Sequence, residues 1–348
     1  MKKWLKIEVT ILAVLVVVAL VMTMSLFGKD AQPAISDNLS TQNQQTTQET
    51  TGETTQETTQ ETTQETTAPS LGWEVPEGRQ LTAKQYFVYD VSVETFVAIS
   101  GSETDKIYPA SITKLFTAHV ALQFLNPEQT ITAGDALDKV GAGSSVANIK
   151  KGDVLTVEQL VAAMLLPSGN DASYLVAVEA GKVIKNDPTL SATAAAQAFV
   201  AEMNGQARAL GMTGTHFTNP DGYHSSNHYT NMEDMVQIGK LALKNATIRK
   251  YAVVSRMDMP NYQGMGQFAD GEEDPLATWK NTNALIDPES EYYHPDAVGL
   301  KTGQTPSAGA CLLSAFETNG VQYIIGVFDC PEVEDRFEDT LQLYYENK

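Results

Sequence analysis

The sequence predicts an α+β fold: one antiparallel sheet flanked by helices, with a helix-rich lobe in the middle of the chain. Three observations carry this. Short β-rich runs stand at both ends of the globular part, helical patterns fill its middle, and Asn319-Gly320 marks a tight hairpin turn between the last two runs. In order, Tyr86–Val91 and Thr95–Ser100 read as a hairpin. Ile112–Phe124 is helical, with its apolar residues mostly on one side. Val157–Leu166 is a second apolar helix stopped by Pro167, and Ala172–Gly181 starts another. Thr193–Leu210 is Ala-rich and helical, as is Met232–Lys244. Val298–Thr302, Cys311–Phe316 and Gln322–Phe328 are strands, and Arg336–Tyr345 is a closing helix.

The chain has 348 residues, but the first 70 are not globular in composition. Lys2, Lys3 and Lys6 precede an uncharged run from Val9 to Gly28, closed by Lys29. Twenty helical residues span roughly 30 Å, a bilayer core, and the basic side stays in the cytoplasm. Residues 1–29 are therefore expected to be a cytoplasmic stub and a single-pass membrane anchor, with everything after Lys29 outside the cell. Cleavage and secretion is the alternative, but the run exceeds a usual signal-peptide core and no A-x-A site follows it. Residues 30–70 form a linker built on Thr-Gln-Glu-Thr repeats between Thr47 and Thr66, with no Lys or Arg. So few apolar side chains cannot offset ordering entropy, so disorder is expected, as a tether of roughly 35 Å root-mean-square span.

Residues 71–348 have the composition of a globular domain. They carry 19 Lys and Arg against 35 Asp and Glu, with no basic cluster, which sets nucleic acid aside. Both cysteines, Cys311 and Cys330, fall here. A plain hairpin about Asn319-Gly320 puts Cys311 opposite Phe328, with Cys330 on the same face one diagonal step away. Only a bulge would align them for a disulfide, so two free buried thiols are expected.

Nucleophilic catalysis needs an activated side chain, and none of the five His residues sits in a local triad pattern. A Ser-Lys pair does the same work. In Pro109-Ala-Ser-Ile-Thr-Lys114 the spacing of Ser111 and Lys114 puts both on one helical face, and burial would lower the lysine pKa until it accepts a proton. Ser168-Gly169-Asn170 lies in a tight loop between two apolar helices, where the hydroxyl can relay a proton. The Asn170 amide can bind Lys114 and a substrate carbonyl. Lys301-Thr302-Gly303 ends a strand; Lys301 and Thr302 suit a terminal carboxylate, and Gly303 would let a substrate backbone approach the strand edge.

Ser-x-x-Lys, Ser-x-Asn and Lys-Thr-Gly in this order resemble the signature of penicillin-binding proteins and class A β-lactamases. The segments Ile107–Ala118, Leu165–Ala172, His216–Gly222, His228–Thr230 and Gly299–Gly303 are similar to the serine D-Ala-D-Ala carboxypeptidases, the low-molecular-mass penicillin-binding proteins, over about Gln80 to Tyr345. The resemblance implies a β-lactamase/penicillin-binding-protein-like fold. It also implies removal of the terminal D-Ala from peptidoglycan stem pentapeptides through a Ser111 acyl-enzyme. It makes Lys114 the base and Ser168 the proton relay, with Asn170 positioning substrate. Lys301, Thr302 and Arg336 recognise its carboxylate, and backbone N–H groups of Ser111 and Gln304 form the oxyanion hole. β-Lactams become covalent inhibitors, and no cofactor is implied. Gln304 departs from the family's usual His, so any side-chain role there is lost. The chain also stops after the catalytic domain, without the β-rich C-terminal domain that many members add.

Three other readings fit parts of the sequence less well. A β-lactamase needs a deacylating Glu in an E-x-x-L-N-like segment, which is not found between Asp171 and Leu300. A non-catalytic receptor for β-lactams or wall fragments would carry a signalling part, yet only eight residues precede the apolar run. A zinc hydrolase would use His224 and His228, spaced i, i+4 near Asp221, but that segment reads as a loop and no metal is expected.

Overall fold

The computed structural model describes residues 74–258 and 278–348. The proposed anchor, the repeat linker and the acidic stretch Asp270–Asp274 lie outside the described residues. Among the described residues, no helix is long and apolar enough to cross a membrane.

Five strands build one antiparallel sheet: β1 (Gln85–Asp90), β2 (Thr95–Ile99), β7 (Ala297–Thr305), β8 (Gly309–Thr318) and β9 (Val321–Cys330), in the order β2-β1-β9-β8-β7. Asn319-Gly320 turns β8 into β9 with Thr318 paired to Val321, both turn residues at positive φ, as an Asn-Gly hairpin requires. The middle of the chain supplies α1 (Thr113–Ala121), α2 (Val157–Leu165), α3 (Asn170–Lys185), α4 (Ala192–Ala209), α5 (Met232–Lys244) and α6 (Ala246–Ala252). α7 (Asp335–Asn347) closes the chain. Both sheet faces are covered, which explains why β8 and β9 read as nearly continuous apolar runs rather than alternating ones. On one side α7 stacks Tyr344 on Phe316, ring centroids 4.1 Å apart. On the other, α5 lies so close that a Cβ on Gly239 would meet Ile324 at 3.0 Å.

The α+β expectation is borne out, with every expected boundary within four residues of the observed one and the largest differences at the ends of α1, α3 and β7. Missed were α6 and two short strand pairs, β3 (Thr130–Thr132) with β4 (Val154–Thr156) and β5 (Arg256–Asp258) with β6 (Thr278–Lys280). Pieces this short leave no periodic pattern to read. The cysteines are free and buried, but the predicted shared face is corrected. Ala310 pairs Cys330 while Leu312 pairs Val327, so β9 carries one extra residue, and Asp329 there has φ +55°. That bulge reverses the alternation. Cys311 packs into the helix-side core with Phe328, whereas Cys330 joins the core under α7. Where the described chain begins, the buried Asp339 of α7 accepts from the backbone N–H groups of Thr82 and Ala83 and pairs with Arg79 at 2.7 Å.

Candidate active site

Ser111 sits in a single 3-10 turn, Ala110–Ile112, directly before α1. The tight turn brings residues i and i+3 to the same side. Lys114 Nζ donates to Ser111 Oγ at 2.7 Å and to the backbone carbonyl of Asp221 at 2.8 Å. The lysine is fully buried. Loss of hydration brings its ammonium down to about 8, against the pull of the Asp221 and Asp171 carboxylates. The Asn170–Lys114 bond expected from the sequence is not among the lysine's contacts; the Asp221 carbonyl takes that place.

Helix α2 ends at Leu165, and Ser168 takes a left-handed φ of +63° in the loop before α3. Gly169 and Asn170 are fixed by backbone bonds to Ala163 O and Ser145 O, both 2.9 Å. Ser168 and Asn170 are buried, and Asn170 Oδ1 has no protein partner. Next to it the Asp171 carboxylate accepts from the N–H groups of Ala147 and Ile149, holding the 142–149 loop against α3. Burial raises its carboxyl, opposed by those backbone donors.

β7 is the edge strand. Its Gly303 faces the nucleophile turn: a Cβ would stand 2.8 Å from Pro109 O and 3.2 Å from Ser111 N. The glycine therefore also lets β7 pack on the chain's own nucleophile segment. Lys301 and Thr302 are buried. Thr302 Oγ1 meets Thr282 Oγ1 at 2.6 Å, and Lys301 Nζ donates to Thr302 O at 3.2 Å. Burial, then repulsion from Lys114 and Arg336, pushes the Lys301 amine well below the lysine range. Arg336 is buried, lies 4.8 Å from the Phe337 ring, and has an unpartnered Nε. Lys114, Lys301 and Arg336 thus lie close enough to repel one another, and among the described residues no carboxylate is bonded to Lys301 or Arg336.

A cavity of about 460 Å³ is lined by Ser111, Asn170, Asp221, Tyr223, Gln304 and residues 142–145, whereas Lys114, Ser168, Lys301, Thr302 and Arg336 are not part of its lining. Asn170 Oδ1, Asp221 Oδ2 and Ser144 Oγ are buried there without protein partners. Sequence reasoning missed Asp221, Thr282 and the 142–145 loop. Asp221 lies within the His216–Gly222 segment, but its contribution is a backbone carbonyl, which no side-chain motif announces.

His224 and His228 do not assemble a metal site. His228 Nδ1 accepts from Thr218 N–H at 3.2 Å and Nε2 contacts Thr113 Oγ1 at 2.8 Å. Among the described residues no three His, Cys, Asp or Glu side chains are grouped to hold a metal.

Residues 73–332 match the peptidase S11 family, D-alanyl-D-alanine carboxypeptidase. The chain belongs to this family. It is 34% identical over 220 residues to the D-alanyl-D-alanine carboxypeptidase of Streptomyces sp. strain K15, covering 62% of this chain and 70% of that one. With carboxypeptidase DacF of Bacillus subtilis it shares 27% over 247 residues, 69% of this chain and 56% of the relative. It thus spans little more than half the length of the latter. The crystal structure of the Streptomyces K15 DD-transpeptidase superposes with a TM-score of 0.66 at 28% identity, covering 77% of this chain and 98% of that one. Penicillin-binding protein D2 of Listeria monocytogenes, solved with cefotaxime bound, shares the fold at a TM-score of 0.61 and 23% identity, covering 78% and 98%.

Proposed function

We propose that this serine-type peptidase removes the terminal D-Ala from peptidoglycan stem peptides ending in D-Ala-D-Ala. The observation that carries the reading is the fully buried Lys114 amine, 2.7 Å from Ser111 Oγ and brought down to about 8. A neutral amine there takes the hydroxyl proton as Ser111 Oγ attacks the carbonyl of the penultimate D-Ala. The Oγ–C ester bond forms, the C–N bond breaks, and the departing D-Ala nitrogen receives a proton through Ser168. Water then attacks the ester carbonyl, and one of its protons passes through Lys114 to Ser111 Oγ as the C–Oγ bond breaks, which restores the serine hydroxyl and the neutral amine. Backbone N–H groups of Ser111 and Gln304 hold the oxyanion. Asn170 positions the peptide, while Lys301, Thr302 and Arg336 meet its carboxylate, which restores charge to Lys301. The free edge of β7 suits an extended peptide added as a strand. β-Lactams would acylate the same serine. Residues 1–29 would hold the enzyme to the membrane, 30–70 would tether it, and 71–348 would carry the chemistry outside the cell.

Mass spectrometry of the full chain with penicillin, alongside D-alanine release from a pentapeptide ending in D-Ala-D-Ala, tests this. The expected result is a slowly lost adduct on Ser111 with release, and neither with Ser111→Ala, whose small change leaves the fold intact. A stable adduct without release would point to a receptor or a strict transpeptidase. No adduct would end the nucleophile assignment.

A further inference from the structure

The segment 216–230 supplies the carbonyl that holds Lys114, and its own placement rests on a buried histidine. From α1, three consecutive contacts reach this segment. Thr117 Oγ1 donates to Pro220 O at 2.7 Å, Lys114 Nζ donates to Asp221 O at 2.8 Å, and Thr113 Oγ1 meets His228 Nε2 at 2.8 Å. The other ring nitrogen of His228 faces the backbone N–H of Thr218 at 3.2 Å. A backbone N–H can only donate, so Nδ1 carries no proton and Nε2–H donates to Thr113. One neutral tautomer therefore bridges residue 113, between Ser111 and Lys114, to residue 218, three before Asp221. The ring is 2% exposed and packs edge-to-face on Phe217, which itself stacks on Phe116 of α1.

We propose that His228 is a positioning residue for the Ser111–Lys114 pair: its Nε2–H form ties Thr113 to Thr218 and so fixes the Asp221 carbonyl against the lysine amine. The inference rests on the acyl-enzyme reading above and adds to it a residue that does not touch substrate. Both nitrogens are used, so the ring has no lone pair left for a metal. An imidazolium would lose the Thr218 bond, and the titratable groups facing the ring (His216, His224 and Lys114) all oppose a second proton. Burial, the largest influence, together with them pushes the imidazole down to about 3, so the tie stays neutral wherever the enzyme is folded.

A histidine that only fills core volume would change stability and nothing else. The distinguishing readout is the pH profile of penicillin acylation at Ser111, taken on the full chain beside thermal melting. Wild type is expected to acylate faster as pH rises through about 8, where Lys114 loses its proton. In His228→Ala the loosened segment admits water to Lys114, relieving the desolvation that holds its pKa down. The midpoint then moves upward and acylation near neutral pH falls by about tenfold or more. His228→Gln, able to donate to Thr113, recovers part of both. Should His228→Ala not fold, Thr113→Val, nearly isosteric, removes the acceptor alone and is expected to move the midpoint the same way. A lowered melting temperature with an unmoved midpoint and rate, in His228→Ala or in Thr113→Val, would overturn the proposal. Absence of any wild-type adduct would instead remove the acyl-enzyme reading on which it stands.

Discussion

Lys114 imposes a cost on folding that can be measured apart from its chemistry. Its ammonium titrates at about 8 in the fold, against 10.5 for an ordinary lysine. A group with a depressed folded pKa binds fewer protons folded than unfolded, so stability rises with pH across the interval between the two values. Below about pH 8 the full penalty applies, about 3 kcal/mol at ~1.4 kcal/mol per pH unit; above about 10.5 it vanishes. Lys114→Met keeps most of the volume and removes the proton. The variant also loses the bonds to Ser111 and Asp221, but that loss is the same at every pH. The stability of Lys114→Met relative to wild type should therefore decline by about 2 kcal/mol between about pH 7 and about pH 9.5. Urea unfolding of both full-length chains across this range, followed by intrinsic fluorescence with the buried Trp279 as one reporter, gives the difference directly. Other titrating groups cancel between the two proteins unless they couple to Lys114. A difference that stays flat with pH would mean that the lysine is not desolvated as the fold implies, and the general-base argument would fall with it.

Two further outcomes follow from the site. Gly303→Ala puts a Cβ 2.8 Å from Pro109 O and 3.2 Å from Ser111 N, so β7 and the nucleophile turn must part by a few tenths of an ångström. The protein should fold with a modestly lowered melting temperature, yet acylate about 10²-fold more slowly because the oxyanion donors no longer converge; an unchanged rate would refute this. Arg336→Met removes a buried cation beside Lys301, so KM for a D-Ala-D-Ala peptide should rise about tenfold with a smaller change in kcat. Steady-state kinetics showing the reverse split would place the arginine's effect elsewhere.

Much of this protein was legible in local patterns. Helical periodicity, a Pro stop after α2 and the Asn-Gly turn specify elements through neighbours a few residues apart, and Ser111 and Lys114 meet because three residues separate them along one turn. The order of the three motifs carried the family. What the sequence left open depends on distant segments. One residue inserted into β9 at Asp329 separated two cysteines that an unbulged hairpin would put on one face. Gly303 packs β7 on residues far earlier in the chain, a close approach that its own strand does not announce. The Asp221 carbonyl, not the Asn170 amide, holds Lys114, and His228 reaches Thr113 across more than a hundred residues of sequence. Side-chain spacing is a local property, fixed by backbone geometry, whereas register and the burial that lowers the Lys114 pKa are sums over contacts that only the assembled fold brings together.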